Sequence, residues 1–564
     1  MLSHTDCQKE EEMQSYFIGK KNKELKEDKS MACTLELPRN PFKSTKISTM
    51  ADRLNLSAGQ RTAFMSAILS EGGVPLDDVT LSVTSAWIAG KDMRKSVADD
   101  IRAKFVAPKH STLHWDGKLV PDINKQNKER LGVLVSGMPD FEEGKLLGVP
   151  VITNSTGEEQ ANATFGLARE WELIDQVRAL VFDTTASNSG WRIGACVKLE
   201  ALLQKKLFML ACRHHVFERI LCAVHKELFG PTSGPDNSDF TEFRDSLWRY
   251  INTEDGHRTL VLEDRSLKRI KEDVIASLKR ILSVPDSKAA LPRDDYRESA
   301  ELMLILLGET PERGNHWMRP GAAHHARWMP SILYPAKMYA FSAQTAYDDN
   351  TIQKLERMNK FNALFYVNKW LSASVGADAP FNDLQLWHEL NEYRKHDASV
   401  ANAAINAMER HLWYLTEECA VFSVFSHRVS DAERQQIARQ LSRTPRPKAF
   451  TKGQPRFPIL NNSTRLVHLI GPGSWFLFEC LHIGAEWLGK PISSWPGDAV
   501  FLEAETFVRH VKVVNDLSER AVKLVQDFAT SITNDETQKQ YLLQVVEYQR
   551  KAIPNFKKKT LSTK

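Results

Sequence analysis

One short apolar segment that ends in a carboxylate constrains this chain more than any other feature. Residues 179–182 are apolar, and Asp183 follows them directly. A polar turn comes next, then a helical pattern over residues 191–203 and a second apolar run over residues 207–211. Strand, helix and strand at this spacing predict a parallel pair of strands, which delivers polar groups to one edge of a sheet. The sequence therefore predicts an α/β core with a charged group at its open edge.

Three further strands precede this unit. Residues 111–115 alternate between polar and apolar and end in Asp116-Gly-Lys, and apolar runs follow over residues 131–136 and 146–153. Strands in quick succession predict an antiparallel meander, and the helical pattern over residues 157–171 leads into the parallel additions. From residue 216 to about residue 515 the patterns are almost all helical. We therefore expect a small mixed sheet in a chain that is helical over most of its length.

Composition sets limits on the class of protein. With 564 residues the chain is too long for one compact core. Lys and Arg number 75 against 71 Asp and Glu, a net charge of +4, so a nucleic-acid surface would have to be local. Seven scattered cysteines fit a reducing compartment, cytosol or nucleus, better than a disulfide scaffold. The sequence also predicts no signal peptide and no membrane span.

Two aspartates are candidates for a metal site. Asp116 and Asp183 both follow apolar strands, and carboxylates at neighbouring strand ends are the oxygen ligands that Mg²⁺ prefers. Two such ions can assist phosphodiester chemistry. The alternatives remain open, because Asp116-Gly is a common hairpin turn and Asp183 suits a turn or a helix cap.

Cys212, His215 and Glu519 are weaker candidates. The two residues between Cys212 and His215 give a zinc-ligand spacing, but no second pair stands at a standard spacing, so a buried cysteine and a capping histidine are the alternative. Glu519 falls within a helix predicted over residues 502–528, whose apolar side would include Val511, Val514, Ala521 and Leu524. It could complete a metal site opposite two strand carboxylates, although most helix glutamates are simply solvated.

Two segments carry residue types that suit nucleic acid. An exposed Trp beside Arg, as at Arg327-Trp328, can stack on an unpaired base, and a core tryptophan is the alternative. A Pro- and Arg-rich loop is basic and contains an aromatic residue. Its candidate phosphate contacts are Arg443, Arg446, Lys448 and Lys452. A solvated loop between helices is the alternative there.

Taken together, the motifs resemble those of the hAT superfamily of DNA transposases and its domesticated relatives. They occur in the same chain order: Trp-Asp-Gly-Lys at 115–118, Phe-Asp-Thr-Thr-Ala-Ser-Asn-Ser-Gly at 182–190, Cys-Arg-His-His at 212–215, Arg-Trp at 327–328 and Ser-Glu-Arg at 518–520. The resemblance covers roughly residues 110–552. It implies a ribonuclease H-like core, β-β-β-α-β-α-β, interrupted by a large all-α insertion.

The resemblance also implies roles for individual residues. Asp116, Asp183 and Glu519 would be the DDE catalytic residues and would bind Mg²⁺ or Mn²⁺. Cys212 and His215 would support that site, and Trp328 would contact a flipped base. The implied reaction is DNA strand cleavage and transfer during transposition, by a nuclear protein whose partners are DNA and further copies of the same chain.

The sequence predicts six regions. They are a disordered tail (1–50), a small helical region (51–109), the first part of the core (110–225), the helical insertion (226–500), helices completing the core (501–556) and a basic tail (557–564). The zinc finger that often begins the family is absent, because Cys7 and Cys33 lack matching ligands. The alternative function is therefore a catalytically inactive, transposase-derived protein that binds DNA or protein.

Overall fold

The computed structural model describes residues 36–122, 124–231, 237–284, 291, 293–321, 329–515, 521, 524–528 and 532–553. The chain divides into two compact units, one ending at Met93 and one beginning at Arg94. None of the helices in these ranges combines the length and the apolarity that crossing a membrane requires.

The first unit is helical. It contains α1 (Thr45–Arg53), α2 (Ala58–Glu71) and the beginning of α3 (Val83–Ala103). Ser57 begins α2 as the sequence predicts: the side chain of Ser57 accepts a hydrogen bond from the Gln60 amide, and the side chain of Gln60 accepts one from the Ser57 amide. This reciprocal pairing satisfies two amides that the first turn leaves open.

The end of the predicted disordered tail differs from the structure. Residues 36–50 include the first part of α1, and the ring of Phe42 is buried against Met65 and Leu69. The Lys- and Glu-rich composition of the preceding segment dominated the prediction, whereas burial of one aromatic ring orders the chain here. Residues 1–35 lie outside the described part of the chain.

The second unit is built around a five-stranded mixed sheet. Its strands are β1 (Ser111–Pro121), β2 (Asn127–Gly137), β3 (Phe141–Gly148), β4 (Val177–Phe182) and β5 (Phe208–Ala211). Their order across the sheet is β3-β2-β1-β4-β5. The first three strands pair antiparallel, and β4 and β5 add to β1 in parallel. The predicted meander with parallel additions is confirmed.

Helices connect and follow these strands. They are α4 (Gly157–Glu170) between β3 and β4, α5 (Ala186–Ser189) and α6 (Ala195–Leu203) between β4 and β5, and α7 (Arg213–Phe229) after β5. The interior strand β4 is apolar from Ala179 to Phe182, and these side chains are fully buried. Burial on both faces explains why β4 reads as a continuous apolar run and not as an alternating one.

The rest of the second unit is helical, as the sequence predicts. Its helices are α8 (Ser238–Glu242), α9 (Arg265–Leu282), α10 (Asp294–Leu306), α11 (Pro330–Ala340), α12 (Asp349–Phe361), α13 (Val367–Leu371), α14 (Ala379–Tyr393), α15 (Ala398–Met408), α16 (Glu417–Ala420), α17 (Asp431–Arg443), α18 (Phe476–Leu481), α19 (Ala499–His510) and α20 (Glu536–Ala552). The architecture is thus an α/β core joined to a large helical part.

Two element boundaries differ from the prediction in ways that matter for the site. Strand β1 continues through Asp116 to Pro121, so Asp116 is a strand residue and not the start of a turn. The predicted helix 502–528 is interrupted: α19 ends at His510, the backbone of Lys512 forms a β-bridge with Val375, and helical backbone returns at residues 521 and 524–528. In both places pairing with a distant segment overrides the local pattern.

Candidate functional site

The strand register aligns the two candidate aspartates. The β1–β4 pairing runs through Leu113 with Leu180 and His114 with Val181. The next pair along, Trp115 and Phe182, stacks with ring centroids 5.9 Å apart, so the alignment continues beyond the last ladder pair. Extended by one more step, this register would bring Asp116 next to Asp183, the residue that follows β4, at about the 4.8 Å spacing of neighbouring strands.

Cys212 extends this row onto the next strand. Phe182 pairs with Ala211, and the amide of Cys212 donates to the carbonyl of Phe182 at 2.8 Å. Cys212 therefore stands beside Asp183 at the carboxyl end of β5. We call Asp116, Asp183 and Cys212 the edge row. In the sequence, Asp183 and Cys212 each come directly after an apolar run. Asp116 belongs to the row only because of the register in which β1 pairs with β4.

Asp183 is held by its own loop. Its Oδ1 accepts hydrogen bonds from the Thr185 amide at 2.8 Å, the Thr185 hydroxyl at 2.5 Å and the side-chain amide of Asn188 at 2.8 Å. All three donors meet one oxygen. Oδ2 is the oxygen that the described residues leave for a cation or a substrate proton.

A buried asparagine connects the loop to β1. Asn188 donates to Asp183 through Nδ2, and its Oδ1 accepts a hydrogen bond of 2.8 Å from the indole Nε1 of Trp115. Asn188 is 3% exposed, so each of these polar atoms needs a partner within the protein. The hydrogen bonds from Trp115 to Asn188 and from Asn188 to Asp183 fix the position of Asp183 relative to β1, the strand that contains Asp116.

His215 lies close to Cys212 and Asp183 at this edge. Burial lowers the pKa of His215, but the nearby sulfur of Cys212 and the carboxylates of Asp183 and Glu218 outweigh burial and raise the pKa to about 10. The Cys-x-x-His spacing thus puts His215 within electrostatic reach of Cys212 and Asp183, and a supporting role for the two residues stays a prediction.

A segment from far along the chain closes over the edge row. The amide of Asn515 donates to the sulfur of Cys212 at 3.1 Å, and its side chain donates to the carbonyl of Trp115 at 3.1 Å. Ala521 packs over β2: a methyl group at Gly132, the strand partner of Asp116, would lie 3.2 Å from the Cβ of Ala521. Glu519 falls between these two residues and lies outside the described part of the chain.

The described residues contain no group of three or more His, Cys, Asp and Glu side chains arranged to hold a metal ion. A zinc site at Cys212 and His215 with Cys222 and His225 is therefore not formed; the ring of His225 packs against Phe229 instead. Mg²⁺ differs from zinc because it is commonly held by one or two carboxylates with water and phosphate oxygens completing the shell. The two aspartates of the edge row fit that requirement by type and number.

The basic loop lies on the surface beside the sheet. Arg443, Arg446, Lys448 and Lys452 are all exposed. The loop is tied to the core, because the buried carboxylate of Glu200 accepts a hydrogen bond of 2.8 Å from the Gly453 amide.

One of the four basic residues is partly engaged. Arg446 forms an ion pair of 2.9 Å with Glu479 and stacks over the ring of Trp475. The three others have no ion pair among the described residues. Arg327 and Trp328 lie outside the described part of the chain.

Sequence reasoning missed two residues of the site. Asn188 and Asn515 both form hydrogen bonds that position the edge row, yet neither has a spacing or charge that marks it. The polar turn after Asp183 was the available signal for Asn188. Nothing in the local pattern marks Asn515, whose role depends on a 400-residue sequence separation from Trp115.

No protein-family model, curated protein or solved structure matches this chain. A functional assignment therefore depends on the geometry of the site and on the motifs in the sequence.

Proposed function

We propose that this protein cleaves and transfers DNA strands in a metal-dependent reaction, as a transposase-like protein of the hAT type with a ribonuclease H-like core. The observation that carries the proposal is the register of β1 with β4, which pairs His114 with Val181 and, extended by two residues, would bring Asp116 next to Asp183. The sheet order β3-β2-β1-β4-β5, with an antiparallel meander and two parallel additions, supports the ribonuclease H-like assignment.

The third carboxylate of the proposed DDE site is Glu519. The described residues on either side support this choice. Asn515 bonds to Cys212 and Trp115, and Ala521 packs over the β2 partner of Asp116. The described chain thus stops at Asn515, which contacts Cys212 and Trp115, and resumes at Ala521 beside Gly132, the strand partner of Asp116.

The protein's own residues would position the reacting groups. Asp116, Asp183 and Glu519 would hold Mg²⁺ or Mn²⁺, which when bound supplies Lewis-acid chemistry at a phosphodiester. The loop bonds to Oδ1 of Asp183 fix the direction in which Oδ2 points. The exposed cations Arg443, Lys448 and Lys452 would neutralise phosphates of bound DNA, which makes binding salt-dependent.

Replacement of the row aspartates tests the proposal. With Mn²⁺ and a branched DNA substrate, Asp183→Asn and Asp116→Asn should each reduce nicking by about a hundredfold or more, because each removes a charged metal ligand. Chelation with EDTA should abolish nicking. Asp140→Asn, an exposed turn residue between β2 and β3, is the matched control and should retain activity. Equal nicking by wild type and Asp183→Asn would end the catalytic proposal.

One observation favours a second function, a catalytically inactive protein that binds DNA or protein. Three hydrogen bonds from its own loop already satisfy Oδ1 of Asp183 without a cation. A protein that binds DNA with salt-dependent affinity but neither nicks it nor binds Mn²⁺ by calorimetry would support this alternative. Nuclear localisation and homo-oligomer formation belong to both proposals and rest on the resemblance.

A further inference from the structure

The loop that begins at Asp183 ends in a group of exposed apolar and basic side chains. Trp191 is 59% exposed and Ile193 is 72% exposed. The guanidinium carbon of Arg192 lies 4.1 Å from the centroid of the Trp191 ring. Leaving a large aromatic ring in water is unfavourable, and no packing within the described residues explains its position.

The backbone of this loop is closely packed although its side chains are exposed. The amide of Gly190 donates to Ala186 at 2.9 Å, and the amide of Gly194 donates to Gly190 at 2.8 Å. A Cβ at Gly157, the first residue of α4, would approach the backbone of Ile193 and Ala195 to 2.7 Å or less. Glycine is required there because the loop lies directly against α4. Trp191 and Arg192 are thus presented from a fixed support.

We propose that Trp191 and Arg192 form a stacking platform for an unpaired base of the DNA strand that enters the edge row. The inference rests on the proposed function for the presence of DNA, and it adds the substrate class: DNA with single-stranded or frayed bases next to the reacting phosphate. An aromatic face accepts any base by stacking, and a guanidinium beside it can bind the adjoining phosphate.

The placement of the platform favours a nucleic-acid strand over another occupant. The same loop contains Asp183, so a base on Trp191 would belong to the strand that reaches the edge row. Lys118 is exposed on β1 two residues beyond Asp116 and offers a second cation at this edge. An apolar protein partner would gain little from a ring already covered on one face by Arg192.

Binding measured in EDTA tests the inference apart from cleavage. The probe is a single-stranded oligonucleotide that contains 2-aminopurine, compared with the fully paired duplex of the same sequence. Trp191→Ala should weaken binding of the single strand by about tenfold or more, while Trp191→Phe retains most of the affinity, because one stacked base is lost only in the alanine variant. Duplex affinity should change much less.

A second arginine–aromatic pair provides the matched control. Arg249 stacks over Tyr250 at 4.7 Å, and Tyr250 is 74% exposed, so Tyr250→Ala removes a comparable surface ring far along the chain. Unchanged melting temperatures should show that both variants fold. Equal single-strand affinity for wild type and Trp191→Ala would overturn the platform while leaving nicking intact. If the wild-type protein binds neither the single strand nor the duplex, the proposed function is overturned as well. If Trp191→Ala changes only the oligomeric mass and not DNA binding, Trp191 belongs to a contact between copies of the chain.

Discussion

Asn188 connects two side chains that their strands alone would not join. It accepts a hydrogen bond from the buried indole of Trp115 and donates one to Asp183. Trp115 is fully buried, so its N–H has no access to water if this acceptor is lost. At the scale of single residues, the geometry of the edge row therefore depends on an uncharged side chain.

Replacement of Asn188 tests this dependence. Asn188→Ala should lower the free energy of unfolding by about 1–3 kcal/mol, because it leaves the buried indole N–H of Trp115 without an acceptor. Urea unfolding followed by circular dichroism measures the change. Asn127→Ala, an exposed residue of β2, should leave the stability within about 0.5 kcal/mol of wild type. Equal stability for the two variants would contradict the role given to Asn188.

At the scale of elements, α20 covers the open edge of the sheet. Strand β3 is an edge strand, and the side chains of α20 pair with its backbone. Gln544 donates to the carbonyls of Leu146 and Leu147 in β3, and Gln540 bonds to both the N–H and the C=O of Val149, directly after β3. Unpaired edge groups are a common template for aggregation, so this helix protects the strand.

Loss of these glutamines should expose the edge. Gln540→Ala should lower the free energy of unfolding by about 1–3 kcal/mol, since it removes the hydrogen bonds to both the N–H and the C=O of Val149. Gln544→Ala should cost less, because the carbonyls of Leu146 and Leu147 keep Lys145 and Trp171 as donors. The double variant should also aggregate faster, which light scattering at moderate temperature measures. Thr537→Ala, at an exposed position of the same helix, is the control. Unchanged scattering by the double variant would show that α20 does not protect this edge.

At the scale of the whole molecule, one buried ion pair joins the sheet to the helical part. Arg213 follows Cys212 of the edge row, and its side chain is 1% exposed. It pairs with Asp383 on α14 and donates to the carbonyl of Ala373 at 2.9 Å. A buried guanidinium is costly without its partners, so the site and the helices are coupled in stability.

Removing one partner of the Arg213–Asp383 ion pair should lower the free energy of unfolding more than replacing both partners with apolar residues. Asp383→Ala should lower the free energy of unfolding by about 3–5 kcal/mol, because it leaves a buried charge uncompensated, whereas Arg213→Met with Asp383→Leu should recover much of the loss. Denaturant unfolding of the three proteins gives the comparison. Glu392→Ala, which removes an exposed ion pair with Lys395 on the same helix, should cost less than about 1 kcal/mol. A similar cost for Asp383→Ala and Glu392→Ala would refute the coupling.

Local patterns predicted the strands of the core well because they are apolar runs bounded by polar turns. The pattern failed at Asp116, where Asp-Gly has turn chemistry but pairing with β2 carries the strand onward to Pro121. It failed again after His510, where a helical pattern continues in the sequence but the chain leaves the helix and Asn515 bonds to Trp115 and Cys212. Both errors occur where contacts with distant residues outweigh propensity.

The sequence by itself determined the α/β core, the helical part and the aspartates that accompany the strands, because these follow from periodicity and residue type. Only the tertiary structure decided the register in which β1 pairs with β4, the hydrogen bonds of Asn188 and Asn515 at the edge, and the exposure of Trp191 on a closely packed loop. The physical reason is that strand register and side-chain burial depend on which distant segments pair, and a local pattern carries no information about that choice.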